Sequence, residues 1–133
     1  AKLALQHPVR VVGVVSSHAT TYADSIAAGR VVESAVTTQL ADGMACRVAD
    51  QAALDILAPH LDHVVHVSDA EVAAAMHALY TDTHNAAEGA GAAALAAALQ
   101  EKERLAGQAV GVALTGGNVD AAVFARVLGG ASC

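Results

Sequence analysis

The 133-residue sequence is poor in aromatic and basic side chains. Aromatic residues make up 2% of the chain, Trp is absent, and 7 Lys and Arg stand against 13 Asp and Glu for a net charge of −6. Nucleic-acid binding relies on clustered basic side chains that displace counterions from phosphates. Because the sequence has no such cluster, we expect no nucleic-acid partner.

Cysteines and long apolar runs are also scarce. Cys46 and Cys133 have neither a metal-binding spacing nor the pattern of a disulfide framework, which favours a reducing, cytoplasmic location. The apolar stretches at residues 9–15 and 86–99 fall short of the ~20 residues that a membrane-spanning helix requires. No signal peptide is evident. We therefore expect no association with a membrane.

Several familiar catalytic motifs are missing. The sequence has no G-x-S-x-G elbow, no phosphate loop ending in Gly-Lys-Ser/Thr, and no G-x-G-x-x-G after its first predicted strand. Its 7 histidines are poorly spaced for one metal ion. His63 and His66 would point to opposite faces of a strand, and His77 and His84 are two helical turns apart. We expect no metal site.

Alternating strand-like and helix-like patterns dominate what remains, in a chain that is 55% hydrophobic. They predict one α/β domain with a largely parallel sheet and helices on both faces. Capping residues and glycines set the predicted boundaries. The predicted strands cover residues 9–15, 62–67 and 109–114, and the predicted helices cover residues 1–6, 19–28, 50–57, 68–84, 88–105 and 120–129.

Two places have the composition of a ligand site. Thr115, Gly116 and Gly117 follow the last predicted strand, at the edge where open α/β sheets bind ligands, and paired glycines let a flat ligand approach the backbone. Glu88 opens a helix of very small side chains, which suits packing against a planar cofactor. For the two glycines alone, we favour an ordinary strand-to-helix turn. For the second, we favour a helix-capping pair of Asn85 and Glu88 when it is considered alone.

In order along the chain, four segments resemble the C-terminal part of the serine/threonine dehydratases, a group of fold type II pyridoxal-phosphate enzymes related to tryptophan synthase β. They cover residues 10–15, 40–43, 87–92 and 114–119, and residues 64–72 are also similar. The resemblance implies that the chain is part of the large domain of such an enzyme. Residues 1–133 would then be a C-terminal cofactor-domain fragment of a longer chain.

The resemblance implies pyridoxal phosphate as cofactor, bound by Thr115, Gly116 and Glu88. Thr115 falls where the family places a hydroxyl or thiol beside the pyridine nitrogen, and Glu88 falls on a glutamate near the ring. The implied reaction is β-elimination from L-threonine, L-serine or a related 3-hydroxy amino acid, giving a 2-oxo acid and ammonia. The implied partners are this substrate, the rest of the polypeptide and a second copy in a homodimer.

The resemblance also implies absences. The family's Schiff-base lysine and tetraglycine phosphate loop lie upstream, and neither Lys2 nor Lys102 matches a catalytic position, so we expect this chain alone to be inactive. Many relatives bind a cation with a Glu and an Asp, where this chain has Val15 and Thr21. A divalent ion is therefore not expected, because hard cations prefer carboxylate oxygens.

Two other functions compete with this interpretation. One is a non-catalytic Rossmann-like module that binds a nucleotide or a partner chain through its small-residue helices. The other is a different fold type II enzyme, such as a cysteine synthase. The substrate side chain stays open, because the pocket that contacts it is built largely by upstream residues.

Overall fold

The computed structural model describes residues 8–130, so the predicted helix at residues 1–6 and Cys133 lie outside the described residues. Two strands and six helices follow one another, with a short 3-10 turn at Asp42–Met44. They are β1 (Val12–Ser16), α1 (Thr21–Ala28), α2 (Gln51–Leu57), β2 (His63–Val67), α3 (Asp69–Thr83), α4 (Gly89–Gln100), α5 (Lys102–Leu105) and α6 (Ala121–Leu128).

The two strands form a parallel sheet with helices on both faces, as predicted. β1 and β2 pair in register from Val12 opposite His63 to Ser16 opposite Val67. One face of this sheet belongs to the main hydrophobic core, in which Val65 clusters with buried residues of α3 and α4. The other face, at Val15, lines a cavity of about 490 Å³ together with residues of α1 and α2. The α/β fold class is confirmed.

Local capping sets most helix boundaries where the sequence predicted them. The Ser68 side chain accepts a hydrogen bond from the backbone N–H of Glu71, and the Glu71 carboxylate accepts one from the N–H of Ser68, so α3 begins with a capping box. Asp50 and Asp120 accept backbone N–H groups at the starts of α2 and α6. Gly29 ends α1 with φ of 65°, a conformation that favours glycine. These boundaries are confirmed.

The core lies between α3 and α4. Met76 and Val72 of α3 are fully buried, and α4 presents small buried residues such as Ala92 and Ala96. Alanine side chains let a helix approach its neighbours closely, so the pair packs tightly without aromatic residues. None of the helices within residues 8–130 is long and apolar enough to cross a membrane.

The predicted strand at residues 109–114 is wrong. Within residues 8–130 the sheet has two strands, and no backbone hydrogen bond joins this segment to a neighbouring strand. A cavity of about 560 Å³ lies between it and residues 8–14, and the Arg10 guanidinium donates a hydrogen bond to the Gln108 side chain at that cavity. Alternating apolar residues form a strand only when a neighbour accepts and donates the ladder hydrogen bonds.

The single helix predicted over residues 88–105 is also wrong, because the chain breaks at Glu101 into α4 and α5. The Glu101 carboxylate lies 2.9 Å from His63 Nε2 on β2 and accepts a hydrogen bond of 2.9 Å from Arg104. Partial burial raises the pKa of Glu101, but its contacts with His63 and Arg104 outweigh this and lower it. The break between α4 and α5 thus lies at the residue that contacts His63 on β2.

The capping box makes a testable contribution to stability. Hydrogen bonds, first from the Ser68 backbone and then from Gln100, hold the pKa of Glu71 below its ordinary value. Such a carboxylate stabilises the fold above its unfolded pKa of roughly 4.3, and the contribution disappears as the pH falls through the lower folded pKa. At pH 7, Glu71→Gln should lower the free energy of unfolding by about 0.5–1.5 kcal/mol.

Urea unfolding at several pH values measures this effect. The deficit of Glu71→Gln should shrink steadily below roughly pH 4. The control is Glu103→Gln, which removes a carboxylate on α5 that makes no side-chain hydrogen bond within residues 8–130. A Glu71→Gln deficit that stays constant from pH 7 to pH 3 would contradict the assignment.

Candidate functional site

The turn at residues 115–118 is attached to the start of α4 by both the main chain and the side chain of Glu88. The Glu88 N–H donates a hydrogen bond of 3.1 Å to the carbonyl of Gly116. The N–H of Asn118 donates one of 3.0 Å to Glu88 Oε2. One residue therefore holds two points of the turn, and the predicted site residues Glu88 and Gly116 are neighbours.

Glycines make this contact possible because no side chain would fit. A Cβ placed on Gly116 would lie 2.6 Å from Glu88 Oε1, and one on Gly91 would lie 2.3 Å from the Gly116 carbonyl oxygen. Ordinary contacts between such atoms exceed 3 Å. The small residues of α4 thus bring the backbone of the turn into direct contact with the helix.

The loop at residues 40–43 meets the same helix start from another side. Leu40 and Ala41 are buried, and the Leu40 carbonyl oxygen would lie 2.2 Å from a Cβ on Gly89. A Cβ on Gly43 would be 3.4 Å from Glu88 Oε1. Three of the four segments singled out in the sequence therefore meet around Glu88.

Thr115 lies next to Gly116 on the solvent-exposed side of this turn. It is exposed, and its hydroxyl makes no hydrogen bond to another group within residues 8–130. Glu88 and Gly116 are half-buried beside it. At this site the neutral Thr115 hydroxyl therefore adjoins the backbone of Gly116 and Gly117, which has no side chains. The Glu88 carboxylate packs against Gly116.

The expected capping pair of Asn85 and Glu88 is wrong. Glu88 itself occupies the N-cap position of α4, and its side chain makes no capping hydrogen bond. The Asn85 amide instead donates to the hydroxyl and the carbonyl of Thr83. Because the carboxylate is not used to cap the helix, it is available to hold the turn.

One partner in the site left no signal in the sequence. The group of Asn118 that binds Glu88 is its main-chain N–H, which every residue except proline carries. Only the three-dimensional approach of the turn to α4 identifies it. Gly89 and Gly91 were visible as part of a small-residue helix, although their individual contacts were not.

Val15 and Thr21, the two positions at which the resemblance raised the question of a cation, are buried. Val15 is 9% exposed and Thr21 is 1% exposed, with no hydrogen-bond partner for the Thr21 hydroxyl within residues 8–130. No group of three or more metal-binding side chains occurs in that part of the chain. The expectation that the site holds no divalent ion stays a prediction.

Comparison with known proteins identifies the family. The profile of the pyridoxal-phosphate dependent enzyme family matches residues 1–116. This chain belongs to that family. The match includes Glu88 and ends at Gly116, so it covers the hydrogen bond between these two residues.

Individual members agree with this. L-threonine ammonia-lyase of Geobacter sulfurreducens is 38% identical over 124 residues, which are 92% of this chain and 31% of that protein. The crystal structure of a threonine deaminase from T.th. matches with a TM-score of 0.82 and 32% identity over 90% of this chain and 43% of that one. Maize serine racemase matches with a TM-score of 0.78 and 26% identity, covering 92% and 40%. This family member thus spans about a third of the curated relative.

The contact between Gly116 and Glu88 can be tested by adding one methyl group. In Gly116→Ala the Glu88 carboxylate has to move, because it is the flexible partner, and its hydrogen bond from Asn118 is lost. A hydrogen bond to a charged group contributes about 1.5–3 kcal/mol, so the free energy of unfolding should fall by roughly this amount. Chemical denaturation measures it.

Gly111→Ala is the matched control, since its added Cβ would meet nothing within 4 Å. Its stability should change by less than about 1 kcal/mol. Once Glu88→Ala has removed the carboxylate, adding Gly116→Ala should cost little. Equal losses for Gly116→Ala and Gly111→Ala would refute the contact.

Proposed function

We propose that Thr115, Gly116 and Glu88 face the ring of pyridoxal phosphate in an enzyme that removes the β-hydroxyl and the amino group of a 3-hydroxy amino acid. The products would be a 2-oxo acid and ammonia. The observation that carries the proposal is the turn of Thr115 and Gly116, which Glu88 holds with Thr115 exposed to solvent. The proposed substrates are L-threonine, which the relatives' names mention, and L-serine or a related 3-hydroxy amino acid.

The residues present fit a planar ring with a nitrogen at its edge. Thr115 offers a hydroxyl that makes no other hydrogen bond within residues 8–130, and a hydroxyl can donate to or accept from such a nitrogen. Gly116 and Gly117 leave the adjoining backbone without side chains, so a flat group can lie against it. When bound, pyridoxal phosphate supplies an electron sink for the α-carbon of an amino acid.

The neutrality of Thr115 is the basis for proposing elimination. A carboxylate beside the ring nitrogen would keep a proton there and strengthen the electron sink, whereas a hydroxyl does not hold that proton. A weaker sink favours prompt departure of the β-hydroxyl over reprotonation at the α-carbon. Thr115 would thus orient the ring and limit its electron demand.

Glu88 would act on the turn. Its carboxylate accepts the N–H of Asn118 and its N–H donates to the Gly116 carbonyl, so the backbone on both sides of Gly117 is tied to the start of α4. Such a support would hold the backbone next to Thr115 in place, as a preorganised site requires. Gly89 and Gly91 allow the close approach that this support needs.

Further parts of the proposal concern groups beyond residues 8–130. The resemblance places a lysine and a phosphate-binding loop in upstream family segments, and this chain corresponds to 31% of its relative's length. We therefore assign the activity to a longer polypeptide in which residues 1–133 contribute the ring-facing wall. A homodimer, a cytoplasmic location and inactivity of the chain alone remain predictions.

Three substitutions of Thr115 in the full polypeptide test the proposal. Thr115→Ser should keep most elimination activity, because the hydroxyl remains. Thr115→Ala should lose one neutral hydrogen bond, about 0.5–1.5 kcal/mol of stabilisation of the cofactor and the transition state. Thr115→Asp should alter the absorbance of the bound cofactor and raise racemisation or transamination relative to elimination, because a carboxylate holds a proton on the ring nitrogen.

The measurements are the absorbance spectrum and the ratio of elimination to racemisation in each variant. This ratio also separates a dehydratase from a racemase, the activity named for the maize structure. If Thr115→Asp still binds the cofactor with an unchanged spectrum and ratio, Thr115 does not face the ring nitrogen.

A further inference from the structure

The first turn of α3 holds the loop that precedes the 3-10 turn. Asp69 accepts a hydrogen bond of 2.7 Å from the Thr38 hydroxyl at one carboxylate oxygen and one of 2.8 Å from the Gln39 N–H at the other. Both contacts are charge-assisted, and a carboxylate is favoured at a helix N-terminus. Asp69 therefore joins two elements that are 30 residues apart in sequence.

Thr38 continues this link into the loop itself. Its hydroxyl oxygen accepts a hydrogen bond of 3.0 Å from the Ala41 N–H and a longer one of 3.4 Å from the Leu40 N–H. Leu40 and Ala41 are 6% and 0% exposed, so water does not serve these groups. One side chain thus satisfies the buried backbone of the loop and ties it to α3.

The loop that Thr38 and Asp69 hold packs against Glu88 and the first two residues of α4. The Leu40 carbonyl oxygen packs directly on the Cα of Gly89, where a Cβ would approach to 2.2 Å. Gly43 lies against Ala90 and Glu88 Oε1, at 2.9 Å and 3.4 Å from the position of an added Cβ. Movement of the loop would therefore move the start of α4 or open space beside the Glu88 carboxylate.

We propose that Thr38 and Asp69 are positioning residues for Glu88, and through Glu88 for the turn of Thr115 and Gly116. They contact neither member of that turn and act through the loop at residues 38–43. This inference rests on the proposed function for its consequence in catalysis. Its structural part, the link from Thr38 to the Glu88 carboxylate, is independent of any activity.

The test compares Thr38→Val with Thr38→Ser in the full polypeptide. Valine keeps the shape of threonine and removes the hydroxyl, whereas serine retains it. Without cofactor, hydrogen exchange at the Asn118 N–H reports on its bond to Glu88 Oε2. This exchange should be about two- to tenfold faster in Thr38→Val, the factor that one hydrogen bond corresponds to, and unchanged in Thr38→Ser.

Two further variants separate positioning from general destabilisation. Asp69→Ala removes both loop contacts and should reproduce the effect of Thr38→Val. Asp50→Ala removes an aspartate from the start of α2, where it accepts the Ala53 N–H, and should leave exchange at Asn118 unchanged. Unchanged exchange in Thr38→Val, or equally faster exchange in Asp50→Ala, would overturn the proposal.

The two Thr38 variants also test whether the contacts of Thr38 affect binding of the cofactor. Fluorescence titration with pyridoxal phosphate should give a dissociation constant about two- to tenfold higher for Thr38→Val and an unchanged one for Thr38→Ser. A protein with no elimination activity in any form would contradict the proposed function. The exchange rate at Asn118 would still decide whether Thr38 positions Glu88.

Discussion

The arrangement of the site depends on one carboxylate at the start of an alanine- and glycine-rich helix. Glu88 accepts the N–H of Asn118 and donates its own N–H to Gly116, so it joins the turn to α4 at two points. A carboxylate in a helix N-cap position ordinarily binds the first turn of its own helix. Here the Glu88 carboxylate binds the N–H of Asn118 in another segment, and the surrounding glycines leave room for this contact.

The contacts around Glu88 also account for the many Ala and Gly residues of α4. Close approach of the turn and the 40–43 loop to α4 requires residues without large side chains, and a helix of Ala and Gly also packs closely on α3. The larger buried side chains of the core are few and include Met76 and Val72 of α3. The scarcity of aromatic residues in the sequence is therefore consistent with close backbone contacts around α4.

Features with a local cause could be predicted from the sequence, and features with a distant cause could not. Capping residues predicted the helix starts at Ser68 and Asp120, because the groups that they bind are two or three positions away. The break at Glu101 involves His63, 38 residues away. Between residues 8 and 130, no strand pairs with the segment at residues 109–114. Of the two main-chain partners of Glu88, Gly116 could be singled out as a glycine, whereas the N–H of Asn118 carries no sequence signal.

The most direct measurement of the central claim is the structure of the full polypeptide with pyridoxal phosphate bound. The account predicts the Thr115 hydroxyl oxygen within about 2.6–3.2 Å of the ring nitrogen, with Glu88 still bound to the Asn118 N–H. A ring nitrogen that faces another side chain, with the Thr115 hydroxyl in solvent, would contradict it.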